Sequence, residues 1–222
     1  MPLFADRQDA GRALATALAD EARNAPVIVA LPRGGVAVAA EVARAFEAPL
    51  DILGVRKIGV PGQEELAMGA VAEGDVMVED ERTRTMAGIS RASFDSARAR
   101  ANAELAERLA RLRRIRPREN VRGRTVIVVD EGVATGATAS AAVQALRAAG
   151  ASRIVFAAPI GLGNSRATLE AVADEVIFLA ENEGFFAVGQ AYGDFGQVED
   201  DEVEAMLREL GGARPPAAER SQ

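Results

Sequence analysis

The chain has 222 residues, 49% of them hydrophobic, which is enough for one ordinary domain with a substantial core and too apolar for disorder throughout. Its formal charge of −7, from 26 basic and 33 acidic residues, argues against a general nucleic-acid coat, but local positive charge can still hold a small phosphorylated ligand. Cysteine and histidine are both absent, which excludes disulfides, thiol nucleophiles, Cys/His zinc sites and histidine-dependent triads but not a carboxylate-bound metal.

Residues 6–21 read as a helix, with Asp6 able to cap it and Ala13, Leu14, Ala17 and Leu18 on one stripe. The opening stretch lacks a signal-peptide pattern, and no apolar run reaches membrane-spanning length, so a cytoplasmic protein is expected. VIVAL, 27–31, suits a buried strand, and PRGG, 32–35, breaks it. A helix over 36–46 and a strand over 49–55 follow. Residues 56–65 mix Gly, Pro and charge without a steady period and are expected to form a loop. Residues 65–78 alternate apolar steps with glycines, which suits short strands, and the region 59–80 is a candidate insertion over a ligand site.

A long helix is expected over 90–114, with Leu105, Leu109 and Leu112 on one face and its dense charge in solvent. TVIVV, 125–129, is another buried-strand candidate; a helix over 138–148 follows, with Gly150 as its stop. A strand over 153–159, a short helix over 164–172 and a strand over 175–180 complete the alternation. Residues 183–196 are glycine- and aromatic-rich, 200–210 are amphipathic, and the end of the chain reads as a loose tail. This order predicts an α/β fold with a largely parallel sheet.

The strongest chemical signal is VVDEGVATGAT, 128–138. If the apolar run is a central strand, Asp130 and Glu131 emerge at its carboxyl edge, where open α/β sheets commonly bind ligands. Thr135 and Thr138 offer hydroxyl donors, and Gly136 lets backbone N–H groups approach a phosphate. The acids can accept hydrogen bonds from vicinal sugar hydroxyls, so the set suits a sugar phosphate. The same acids also suit plain helix capping or solvation. No P-loop run and no Gly-x-Gly-x-x-Gly is present, which speaks against a common ATPase loop and a nucleotide-hydride enzyme.

VIVVDEGVATGAT, 126–138, closely resembles the phosphoribosyl-pyrophosphate signature of type I phosphoribosyltransferases. The resemblance implies a Rossmann-like core with a small hood: one domain over 1–210 with a flexible loop at about 56–80, the hood at about 180–196, and a tail over 211–222. It assigns Asp130 and Glu131 to the ribose hydroxyls and Ala134, Thr135, Gly136, Ala137 and Thr138 to a 5-phosphate cradle. LPRGG, 31–35, resembles the family's pyrophosphate loop, where Arg33 can offset charge and Gly34 and Gly35 can expose backbone donors. VRKIGVPG, 55–62, resembles the start of the flexible loop in some purine-directed members, which places Arg56 and Lys57 near pyrophosphate; either also suits a solvated position. The whole chain is similar to a poorly characterised bacterial and archaeal phosphoribosyltransferase-like group.

The implied reaction is magnesium-dependent transfer of the 5-phosphoribosyl group from phosphoribosyl pyrophosphate to a nucleobase or other nitrogen acceptor. Arg33, Arg56, Lys57, Asp130 and Glu131 are its catalytic candidates, and the two acids are the candidate metal ligands, directly or through water. Hypoxanthine/guanine-directed relatives usually carry an aspartate where this chain has Ala134; its Ala-Thr-Gly form is similar to adenine-directed members, but VPG departs from them, and no acceptor is assigned. Phe185, Phe186 and Tyr192 suit either an acceptor wall or ordinary packing. A homodimer is compatible with the reading, and neither nucleic acid nor membrane is expected as a partner. A non-catalytic donor-binding regulator and a structural domain without ligand are the competing readings.

Overall fold

The computed structural model describes residues 1–74, 76–181 and 184–211. In chain order it runs α1 (Arg7–Ala17), β1 (Val27–Ala30), α2 (Gly34–Phe46), β2 (Leu50–Ile52), β3 (Val55–Val60), β4 (Gln63–Ala72), β5 (Val76–Glu79), α3 (Glu81–Met86), α4 (Arg91–Ile115), β6 (Thr125–Val129), α5 (Ala137–Ala148), β7 (Arg153–Gly161), α6 (Ser165–Glu170), β8 (Glu175–Glu181) and α7 (Asp200–Gly211), with short 3-10 turns at Glu21–Asn24 and Val188–Ala191. The strand order β2-β1-β6-β7-β8 makes a five-stranded sheet, parallel at every pairing.

A parallel sheet covered on both faces needs strands that are apolar at every position, and the sequence has them. In β1, Ile28 and Ala30 join one core with α1, α2 and α7, while Val27 and Val29 join the opposite core with α5. Ile127 and Val129 of β6 repeat the first direction, and Val126 and Val128 the second. The register sets Ala30 level with Val129, and Val129 level with Ala157. The chain therefore leaves three adjacent strands at one common edge, which is where the candidate loops begin.

Several sequence expectations need correction. Residues 56–65 are not a loop. They form β3 and the start of β4, joined by a turn in which Gly62 takes φ of 81°. β3, β4 and β5 build a separate antiparallel sheet. Its Ile58 and Val60 pack with Met68 and Val71 against Phe94, Ala97, Ala101 and Leu105 of α4. The adjacent charges Arg56 and Lys57 and the side-chain-less Gly59 hide this alternation in the sequence.

The first helix stops at Ala17 rather than near residue 21, although Asp6 caps it as expected, accepting from the Asp9 N–H at 2.7 Å. β7 extends to Gly161; Pro159 lies within it, and pairing with β8 is carried by Ala158 and Ile160 on either side. The expected long helix is α4: Leu105 and Leu112 are buried, and Leu109 packs between two cores. Gly211 closes α7, and residues 212–222 of the expected tail lie outside the described residues.

Candidate active site

Asp130 and Glu131 follow β6 directly, and the Asp130 N–H still reaches the Ala157 carbonyl of β7 at 3.3 Å. Asp130 Oδ1 accepts from the Glu131 N–H at 2.9 Å. Enclosure at the sheet edge pushes the Asp130 carboxyl well above the usual carboxylate range, reinforced by the Glu131 charge and a hydrogen bond between the two side chains.

The PRGG turn comes to these acids from β1. Leu31 donates to the Val129 carbonyl at 3.0 Å, which ties the exit of β1 to the end of β6. The Pro32–Arg33 peptide is cis, and α2 then starts at Gly34. A Cβ at Gly34 would overlap the Glu131 carboxyl group, reaching 2.5 Å from its Cδ; one at Gly35 would sit 2.9 Å from the Val129 carbonyl and 3.1 Å from Asp130 Oδ1. Gly35 is thus required for this approach of helix start to acid pair, whereas a side chain at position 34 would displace the Glu131 carboxyl.

Downstream, Val133 is held on β7: it donates to the Ile160 carbonyl at 2.9 Å and accepts from Leu162 at 2.8 Å. Ala134 and Thr135 are exposed beyond that anchor, and Thr138 is half-buried. Gly136 adopts φ of 83° and caps α5 with no side-chain hydrogen bond. A helix leaves its first N–H groups without intrahelical partners, so the start of α5 presents donors beside Thr135 and Thr138. Nothing in the cap neutralises their partial positive charge.

The three basic candidates are placed differently from one another. Arg33 pairs at 3.7 Å with Glu199, just before α7. Arg56 on β3 forms an ion pair with Glu104 of α4. Lys57, its neighbour, is exposed and has no ion pair among the described residues. Arg56, Lys57 and Thr138 line one cavity of about 550 Å³ between the small sheet, α4 and α5. The geometry therefore unites Gly34, Gly35, Asp130 and Glu131, and separately unites Arg56, Lys57 and Thr138.

Tyr192, the chain's single tyrosine, takes a role that sequence reasoning missed. Its hydroxyl donates to the Glu131 main-chain carbonyl at 2.5 Å, and burial pushes its pKa up. The ring stacks on Phe195 at 5.0 Å and packs near Phe4 at 5.7 Å. Val188 also sits against Gly132, where a Cβ would meet it. The segment around 188–195 thus braces the acid turn from behind. Phe185 joins the same small cluster, whereas Phe186 is 91% exposed. A lone tyrosine in an aromatic-rich segment was the available signal; its partner lies 61 residues away and left none.

Two carboxylates, a glycine-rich turn and an uncapped helix start thus meet at one parallel-sheet edge of an α/β fold. The phosphoribosyl transferase domain family matches residues 5–192, and the chain belongs to that family. It is 49% identical over 207 residues to two Mycobacterium tuberculosis proteins, Rv0571c of strain H37Rv and MT0597 of strain CDC 1551, each under a provisional phosphoribosyl transferase name. The match covers 93% of this chain and 47% of each relative, so the chain spans about half the length of the curated relatives it matches. The crystal structure of TT1426 from Thermus thermophilus is 43% identical and superposes with a TM-score of 0.81, covering 95% of this chain and 99% of that one.

Family membership and fold support phosphoribosyl-transfer chemistry in general. No helix among the described residues is long and apolar enough to cross a membrane. Those residues also contain no group of three or more acidic side chains arranged to hold a metal ion.

Proposed function

We propose that the protein transfers the 5-phosphoribosyl group of phosphoribosyl pyrophosphate to a nitrogen nucleophile. The observation that carries this reading is the convergence of Gly34 and Gly35 on Glu131 and Asp130, with the uncapped start of α5 immediately downstream. That arrangement offers acceptors for ribose hydroxyls between two sets of backbone donors for phosphates. In the reaction the bond from the anomeric carbon to pyrophosphate breaks, a bond to the acceptor nitrogen forms, and the acceptor's proton passes to solvent. Asp130 and Glu131 hold the ribose, Thr135 and Thr138 with the neighbouring N–H groups of Ala137 and Gly136 hold the 5-phosphate, and Lys57 meets the charge growing on pyrophosphate.

Magnesium fits as a cation carried chiefly by the donor. Asp130 and Glu131 supply hard oxygen ligands, directly or through water, and no third acid among the described residues completes a cage around them. Bound there, magnesium would neutralise charge on the leaving pyrophosphate.

The test is an acceptor screen. Protein, magnesium and phosphoribosyl pyrophosphate are incubated separately with adenine, hypoxanthine, guanine, xanthine, uracil and orotate; mass spectrometry looks for the nucleotide and a parallel assay follows pyrophosphate. One acceptor is expected to yield both products. Hypoxanthine and guanine are the least expected purines, because the Ala134 methyl cannot relay a proton. A donor-binding regulator is the second reading, since Arg33 and Arg56 are both already engaged by acids. Tight donor binding without nucleotide from any acceptor would favour it.

A further inference from the structure

We infer that Arg100, on α4, is a binding residue for the pyrophosphate group, an assignment that rests on the donor reading above. The cavity of about 550 Å³ that holds Arg56, Lys57 and Thr138 is closed on its far side by α4, through Ala97, Arg100, Ala101 and Glu104. These four lie at helical spacings of three and four residues and so share one face. Ala97 and Ala101 are buried against the small sheet, which draws the helix close to β3 and brings the longer side chains of Arg100 and Glu104 to the cavity wall.

The charges there are incompletely matched. Three cations, Arg56, Lys57 and Arg100, share the lining with two carboxylates, Glu64 and Glu104. Glu104 is taken by Arg56. Lys57 and Arg100 have no ion pair among the described residues. On the same helix Arg91, Arg108, Arg111 and Arg113 are paired with acids, whereas Arg98, Arg100 and Arg114 have no ion pair among the described residues; of these three, Arg100 is the one that lines the cavity. An arginine, a lysine and a threonine lining one cavity suit an anion with several phosphoryl oxygens. Pyrophosphate is the donor's group of that kind, and the cavity adjoins the proposed 5-phosphate cradle through Thr138. α4 therefore contributes to the site directly rather than only supporting the small sheet.

The test measures binding of magnesium pyrophosphate and, separately, ribose 5-phosphate by titration calorimetry. The proteins are the parent, Arg100→Ala, Arg100→Lys and Arg114→Ala. Arg114 is exposed on the same helix, without an ion pair among the described residues, and lies about 21 Å along the axis from Arg100. Arg100→Ala should weaken pyrophosphate binding by about tenfold or more and leave ribose 5-phosphate unchanged, with Arg100→Lys intermediate and Arg114→Ala like the parent. Parent-like pyrophosphate affinity in Arg100→Ala would overturn the inference, as would equal losses for both ligands or an equal loss in Arg114→Ala. A parent that binds ribose 5-phosphate but not pyrophosphate overturns the inference alone. A parent that binds neither ligand overturns the donor reading with it. Circular dichroism of each variant reports whether the fold is intact.

Discussion

Asp130 keeps its proton to higher pH in the folded protein than in the unfolded chain, because its carboxyl is enclosed and faces Glu131. A group whose folded pKa is raised contributes stability below its ordinary pKa, and that contribution is lost as pH rises through the folded value. Asp130→Asn removes the ionisation. The variant should therefore be more stable than the parent at neutral pH, with the two converging toward about pH 4 and below, where Asp130 is protonated in both states. Thermal denaturation across that range checks the sign; a parent that is the more stable at neutral pH would contradict it. The same enclosure has a functional side. On the proposed reading, a bound donor and its cation would bring positive charge and hydroxyl donors to a carboxyl whose ionisation burial disfavours, so ligand rather than protein would offset that cost. Tyr192 supports this from the other side, holding the Glu131 carbonyl while leaving its carboxyl toward Gly34.

Among the elements, α4 joins the small antiparallel sheet to the parallel one. Near its end Arg113 donates to Asp51 Oδ1 at 2.6 Å, to the Ile52 carbonyl at 2.6 Å, and to both carboxylate oxygens of Glu73 at 2.7 and 2.9 Å. Asp51 belongs to β2 and Glu73 follows β4, so one guanidinium clasps both sheets. Burial raises the Asp51 pKa even against the pull of Arg113, which marks how dry the clasp is. Removing one member of a buried pair leaves the other charge stranded. Arg113→Ala is therefore expected to cost about 3–5 kcal/mol, read from the urea midpoint with an unchanged slope. A loss below about 1 kcal/mol would show that the clasp behaves as an exposed pair. The base of the small sheet, and so the aim of Arg56 and Lys57, depends on this contact.

At the scale of the whole molecule, the sheet face that carries α1 and α2 is closed by the last helix. Val203 and Leu207 of α7 are fully or almost fully buried there, beside Val36, Ala40 and Leu112. α7 also pairs with α4 through Arg108–Asp200 and Arg111–Asp201, and its flank holds Arg33 through Glu199. Leu207→Ala opens a cavity in a region packed from four helices and should cost about 2–5 kcal/mol, measured by chemical denaturation. A loss of only a few tenths would mean that α7 is a loose attachment rather than part of the core.

The sequence by itself determined the α/β layering, the parallel sheet and the place of the acid pair. Continuous apolar runs such as 27–31 and 125–129 bury on both faces, and glycine-bearing breaks after them can only be turns at strand ends; both signals are local in the chain. The resemblance of residues 126–138 to the phosphoribosyltransferase signature was legible for the same reason, since that whole loop is contiguous. Tertiary structure alone decided which groups face one another. Gly34 meets Glu131, Arg33 turns to Glu199, Arg56 is held by Glu104, and Tyr192 braces the acid turn across 61 residues. The hairpin at residues 55–72 likewise became clear only through its packing on α4, because Arg56, Lys57 and Gly59 interrupt the alternation of its first strand. Periodicity records which face of an element is buried, but the partner of a charged or hydroxyl side chain depends on how distant elements dock, and no local pattern encodes that.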